Sequence, residues 1–172
     1  MTHELSELSR WIAVRQCEGR TVEVVADAAE CERLAERFDL VSVDSLEAEA
    51  VLGRDGNAIT AQGRLRAAIV QSCAVSGEDL PAMIDEPLAL RFVADAAVAP
   101  ASPDEEVELD AEDCDEIVYS GDRFDLGEAV AQSLALAIDP FATGPQAERI
   151  RKEVGLEEPG RENPFAALKG LT

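Results

Sequence analysis

Side chains able to do chemistry at neutral pH are few in this chain, and their spacing suits none of the usual sites. The single histidine, His3, stands at the N-terminus, whereas general acid–base work near pH 7 most often recruits an imidazole. Serines and cysteines are present, but no base stands where it could activate them. Cys17, Cys31, Cys73 and Cys114 are scattered, with no C-x-x-C pair among them. One remote histidine cannot complete a zinc set of ordinary spacing. Scattered cysteines of an intracellular protein usually serve as small core hydrophobes. Cys73 is therefore read as a packing residue, with Glu78 and Asp79 nearby favouring its neutral thiol. Gly53 and Gly56 belong to a hairpin turn rather than to a phosphate cradle between strand and helix. The expectation is a protein with no catalytic residue, no bound metal and no cofactor.

Carboxylates are the abundant functional group. Asp and Glu number 36 against 15 Lys and Arg, a formal net charge of −21. Residues 95–125 hold 12 acidic residues and one basic residue, Arg123, with Pro100 and Pro103 among them. Clustered carboxylates can hold Mg²⁺ or Ca²⁺ only when fixed at converging geometry. This stretch lacks the apolar residues to fix them and lacks the EF-hand pattern. It reads as a mobile, partner-attracting loop in which Asp104, Glu105, Glu106 and Glu108 are candidate contact residues. A polyanion of this size is repelled by nucleic acid and by anionic membrane, and attracts basic partners. The one basic-leaning stretch, residues 54–72, carries Arg54, Arg64 and Arg66 against Asp55. Arg64 and Arg66 on one sheet face are candidate RNA contacts, although no aromatic is interleaved to stack bases. An ordinary solvated sheet face, or ion pairing with neighbouring Glu47 and Glu49, is the simpler expectation for them.

The elements that must position these groups follow from periodicity. Residues 21–26 alternate as a strand. Asp27 then caps a helix, with Glu30 completing the capping box and Cys31, Leu34, Ala35 and Phe38 forming its apolar stripe. Leu46, Ala48, Ala50 and Leu52 alternate with polar residues, as do Ile59, Ala61, Leu65, Ala67 and Ile69. Around the turn at residues 53–57 this predicts a long β-hairpin with one wet face. A further strand starts at Met83, and Pro87 assigns it to an edge or a bulge. Ile117, Val118 and Tyr119 are read as a short strand. Asp125 and Glu128 repeat the capping-box pattern before a second helix, with Leu126, Val130, Leu134, Ala137 and Ile138 on its buried face and Pro140 ending it.

Four segments, taken in order, resemble the YceD family of bacterial and plastid proteins, and most closely its alphaproteobacterial-type branch. They are residues 26–38, residues 63–73 followed by 84–92, residues 125–128 with 134–140, and residues 163–168. The resemblance marks Phe38, Cys73, Asp125, Leu126, Gly127, Glu128 and Pro140 as structural residues of the family pattern. It implies a part in the accumulation or processing of large-subunit ribosomal RNA precursor. Many relatives carry cysteine pairs that could bind zinc, whereas this chain keeps Cys73 alone of that set, so no metal is carried over.

Together these readings predict an α+β fold in which a curved antiparallel β-sheet packs with two main α-helices beside a mobile acidic loop. Residues 1–142 are expected to form one domain, with 95–122 as its acidic insert. Residues 143–172 are expected to be a loosely ordered tail with a Phe165–Leu171 anchor. The expected role is that of a cytoplasmic, non-membrane accessory factor in large-subunit biogenesis. It would bind a basic ribosomal or rRNA-processing protein and meet precursor rRNA only indirectly. Direct RNA binding through Arg64 and Arg66 is the alternative, and a metal-dependent RNA-processing enzyme comes third.

Overall fold

A computed structural model describes residues 6–95 and 116–155. The chain divides into two compact units, one from Met1–Gln71 and Pro81–Asp139, the other from Ser72–Leu80 and Pro140–Thr172.

The first unit contains nearly all the regular structure. Strands β1 (Trp11–Ala13), β2 (Thr21–Val25), β3 (Ser42–Asp55), β4 (Ala58–Ser72), β5 (Asp79–Ala94), β6 (Glu116–Tyr119) and β7 (Arg123–Asp125) occur in that chain order. Helix α1 (Ala28–Arg37) lies between β2 and β3, and α2 (Leu126–Ala137) follows β7 directly. The main sheet has the order β2-β3-β4-β5-β6, and β1 pairs with β7 in a separate ribbon. The α+β class is as expected from sequence.

The long hairpin forms because one face of each strand is apolar and the other polar. Leu46, Ala48, Ala50 and Leu52 of β3, with Ile59, Ala61, Leu65, Ala67 and Ile69 of β4, are all buried. Asp55 pairs with Ala58 across a two-residue loop. Its first residue, Gly56, has φ of +59°, a conformation that glycine adopts without steric cost. Gly63 serves a different need, close approach: a Cβ there would lie 1.8 Å from the carbonyl oxygen of Glu49. Each fully buried Leu or Ile contributes roughly 1.5–3 kcal/mol through removal from water.

The sheet differs from expectation in one respect: it is mixed rather than wholly antiparallel. Strand β6 pairs with β5 in parallel, Arg91 opposite Glu116 through Ala94 opposite Tyr119. A parallel neighbour requires a crossover of a dozen or more residues, and the chain between Ala94 and Glu116 is long enough to supply it. Strand β5 also begins earlier than expected, at Asp79. Pairing with β6 starts only at Arg91, so Pro87 lies outside that ladder.

Helix α1 opens on a full capping box. Asp27 accepts from the Glu30 backbone N–H at 2.8 Å, and Glu30 accepts from that of Asp27 at 2.9 Å. At α2 the expected box is only half formed. Asp125 accepts from the N–H groups of Gly127 and Glu128 at 3.0 and 3.3 Å. Asp125 itself stands in β7, opposite Trp11. The Glu128 carboxylate is instead turned to Arg37. Leu34, Leu126, Val130 and Leu134 join the sheet's buried face in one core, where the Phe92 and Phe124 rings lie 4.4 Å apart.

The described part of the second unit is a compact turn followed by a short helix. The Cys73 N–H donates to Glu78 O at 2.8 Å and the Ala74 N–H to Ala142 O at 3.0 Å. Helix α3 (Ala147–Glu153) follows, with Ala147 buried. Residues 96–115, most of the acidic insert, and residues 156–172, including the Phe165–Leu171 anchor, lie outside the described residues.

Candidate partner-binding surface

The polar face of the main sheet is open over β2, β3 and β4. Cross-strand register lays its charges out in rows. Glu23 of β2 stands opposite Glu49 of β3, which stands opposite Arg64 of β4. One row along, Val25 is opposite Glu47, and Glu47 is opposite Arg66. Directly opposed like charges such as Glu23 and Glu49 destabilise a sheet slightly, by a few tenths of a kcal/mol to about 1 kcal/mol.

Arg64 and Arg66 are thus brought together as expected, both exposed, with side chains 54% and 66% accessible. They are not free cations. Arg64 Nε donates to Asp85 Oδ1 at 2.5 Å, and Arg66 Nε lies 3.6 Å from the same oxygen. This contact holds the Asp85 carboxyl below its ordinary range and raises the Arg64 guanidinium. The expected partners, Glu47 and Glu49, are their register neighbours, but the close ion pair is made on the other side, to β5. Two arginines are set among four carboxylates, Glu23, Glu47, Glu49 and Asp85, so this face does not present net positive charge. Asp104, Glu105, Glu106 and Glu108 lie outside the described residues.

Residues 125–128 have four separate tasks. The Asp125 carboxylate caps α2 and also accepts from the Arg10 N–H at 2.7 Å. Leu126 is wholly buried. Gly127 admits the N-terminal segment, because a Cβ there would lie 2.5 Å from Leu8 O and 2.7 Å from Arg10 N. Glu128 pairs with both terminal nitrogens of Arg37 at 2.9 and 2.7 Å. Arg37, then Ser6 and Gln132, hold the Glu128 carboxyl down to about 2 against the opposing effect of burial. Phe38 caps α1, half-buried, with the Arg37 guanidinium 5.4 Å from its ring centre. Pro140 is exposed just past the end of α2.

A second clamp was not legible in the sequence. Arg10 forms a two-pronged pair with Glu30 at 2.7 and 2.8 Å and donates to Val25 O at 2.7 Å. The Arg10 hydrogen bond is the main reason that the Glu30 carboxyl sits at about 2 although burial opposes its charge. The capping box drew attention to Glu30, but no periodicity in residues 6–16 pointed to Arg10.

Cys73 requires a correction. It is buried, as expected, but its thiol is pulled down to about 6 rather than kept neutral by Glu78 and Asp79. The Ser76 side chain is the largest cause, and backbone N–H donors of Gly144, Ser76 and Val75 add to it. The Ser76 and Gly144 N–H groups each lie 3.3 Å from Sγ. The Glu78 carboxylate is engaged by other donors, accepting from the Ser76 hydroxyl at 3.0 Å and from the Gln146 backbone and side chain at 3.1 and 3.0 Å. Charge counted along the sequence misjudged this thiol because donors from two distant segments converge on it.

Among the described residues, no helix is long and apolar enough to cross a membrane. A family model described as large ribosomal RNA subunit accumulation protein YceD matches residues 61–172. Three of the four segments that suggested the resemblance fall within that span, and the helix at 26–38 precedes it. No curated protein and no solved structure matches the chain.

Proposed function

Because the chain belongs to the YceD family, we propose that it is a non-catalytic accessory factor in large ribosomal subunit biogenesis, acting in the cytoplasm by holding a basic protein partner. The family description supports the link to large-subunit ribosomal RNA accumulation. The observation that carries the finer reading is electrostatic: a net charge of −21, with the Arg64 and Arg66 pair set among carboxylates. Phosphate neutralisation, the usual source of affinity for RNA, requires an excess of exposed cations. A basic ribosomal or rRNA-processing protein meets the opposite condition, and any contact with precursor rRNA is then indirect.

The test is crosslinked co-purification of the tagged full-length chain from its source cell, with nuclease treatment and a salt titration. Recovery of a basic large-subunit protein that survives nuclease and is released by salt is the expected result. Precursor RNA retained on the purified chain without any protein partner overturns the proposal. The double substitution Arg64→Glu and Arg66→Glu sharpens the contrast. It leaves the protein partner in place under this reading and abolishes capture if those arginines grip RNA directly.

A further inference from the structure

A groove of about 900 Å³ runs between α1 and the start of β3. Ala28, Cys31 and Ala35 line one wall and Val41 and Val43 the other; Cys31, Ala35 and Val43 are buried at its floor, so Ala28 and Val41 supply its accessible apolar surface. Val41, just before β3, is 49% accessible, about as exposed as Val25 and Val51 of the same sheet. The rim is of one sign: Glu32, Glu36, Asp39 and Asp44 line it, with no lysine or arginine among the lining residues. The helix's own basic residues are committed elsewhere. Arg33 donates to Glu7 O at 3.2 Å, and Arg37 is held by Glu7 and Glu128. Of the charges of α1, Arg33, Arg37 and Glu30 are thereby engaged with the N-terminal segment and α2, while Glu32 and Glu36 are left to the groove.

The strand wall has a further property. Pairing of β2 with β3 ends at Val25 opposite Glu47. Residues 42–45 of β3 continue past that point, paired with β4 on their other side through an irregularity between Val43 and Ser45. On the groove side, this end of β3 runs beyond the last residue of its neighbouring strand. An extended peptide laid there would send alternate side chains toward the apolar walls and out toward the acidic rim.

We infer that this groove is the docking site for a short extended peptide segment in which lysine or arginine alternates with aliphatic residues. Shape and charge agree on this occupant: the exposed Ala28 and Val41 take the aliphatic side chains, and the four carboxylates take the cations. The inference rests on the reading of the protein as a holder of basic partners and assigns that role to one place.

The test uses the full-length chain and a fluorescein-labelled synthetic peptide alternating lysine and valine, followed by fluorescence anisotropy at several salt concentrations. Reversal of the rim by Glu32→Lys with Glu36→Lys is expected to weaken binding about tenfold or more. An equal charge change on the open sheet face, Glu23→Lys with Glu49→Lys, is expected to weaken it less than about threefold. Asp39 provides a control for folding, because its φ of +54° is one that glycine adopts more readily. Asp39→Gly is expected to raise the melting temperature while weakening peptide binding, a combination that a purely structural role does not produce. Equal weakening by the two double reversals overturns the inference, since it marks attraction to the polyanion as a whole. Absence of binding by the unaltered chain overturns it as well. If cellular co-purification still recovers a basic protein in that case, the groove is wrong while the broader reading stands. If neither assay finds a partner, both fall.

Discussion

Arg10→Met tests the electrostatic account of the fold most directly. Arg10 joins three places that are distant in sequence: the N-terminal segment, the end of β2 at Val25 O and the first turn of α1 at Glu30. Methionine keeps much of the side chain's apolar stem but removes the guanidinium. Glu30, 9% accessible, is then left with the Asp27 N–H as its remaining partner in this clamp. Breaking a buried pair in this way costs about 3–5 kcal/mol. The Arg10 side chain is 32% accessible, so water screens part of the interaction and the expected loss is about 2–3 kcal/mol. The pH dependence carries a second signature. Glu30 is held at about 2 against an ordinary 4.5, so its contribution is complete above about pH 4.5 and is lost as pH falls toward about 2. The difference in stability between the unaltered chain and the variant should therefore narrow over that interval. The absolute stability of either protein is a poorer measure, because acid also relieves the repulsion of a −21 chain. That relief is common to both and cancels in the difference. Urea unfolding followed by far-ultraviolet circular dichroism, repeated from about pH 7 to about pH 2.5, gives the required values. A neutral-pH loss under about 0.5 kcal/mol, or a difference that stays constant with pH, would refute the reasoning.

Two further outcomes are expected. Gly63→Ala should cost about 2–3 kcal/mol, because the new Cβ would meet the Glu49 carbonyl at 1.8 Å and force β3 from β4; Gly56→Ala, with open space but φ of +59°, should cost only about 1 kcal/mol, and equal losses in urea melts contradict this. The ultraviolet thiolate signal of the unaltered chain minus that of Cys73→Ala should titrate with a midpoint of about 6, whereas a midpoint near the ordinary thiol value of about 8.5 means that the N–H donors do not reach the sulfur.

The legible part of the fold was that set by contacts close in the chain. Alternation placed β2 and the β3–β4 hairpin, and the 3.6-residue period with an N-cap placed α1 and α2, because strand pleat and helix pitch are written directly into side-chain spacing. The missed elements are short and carry no period. Trp11–Ala13 and Arg123–Asp125 are three-residue strands that exist only because each supplies the other's partner. The parallel return of β6 was equally hidden, since Ile117, Val118 and Tyr119 announce a strand but not its neighbour or direction.

For the candidate site, composition by itself determined the sign of the surface and hence the charge of a partner it could attract, because formal charge does not depend on fold. Tertiary structure alone decided where that charge is usable. It set Arg64 and Arg66 beside Asp85, turned Arg37 toward Glu128, and left Glu32, Glu36, Asp39 and Asp44 around one groove. It also gathered the donors that lower the Cys73 thiol, against what the neighbouring carboxylates implied. The physical reason is one of range. Hydrogen bonds and close ion pairs act over about 3–4 Å, and which groups come that close is settled by packing among segments far apart in the chain.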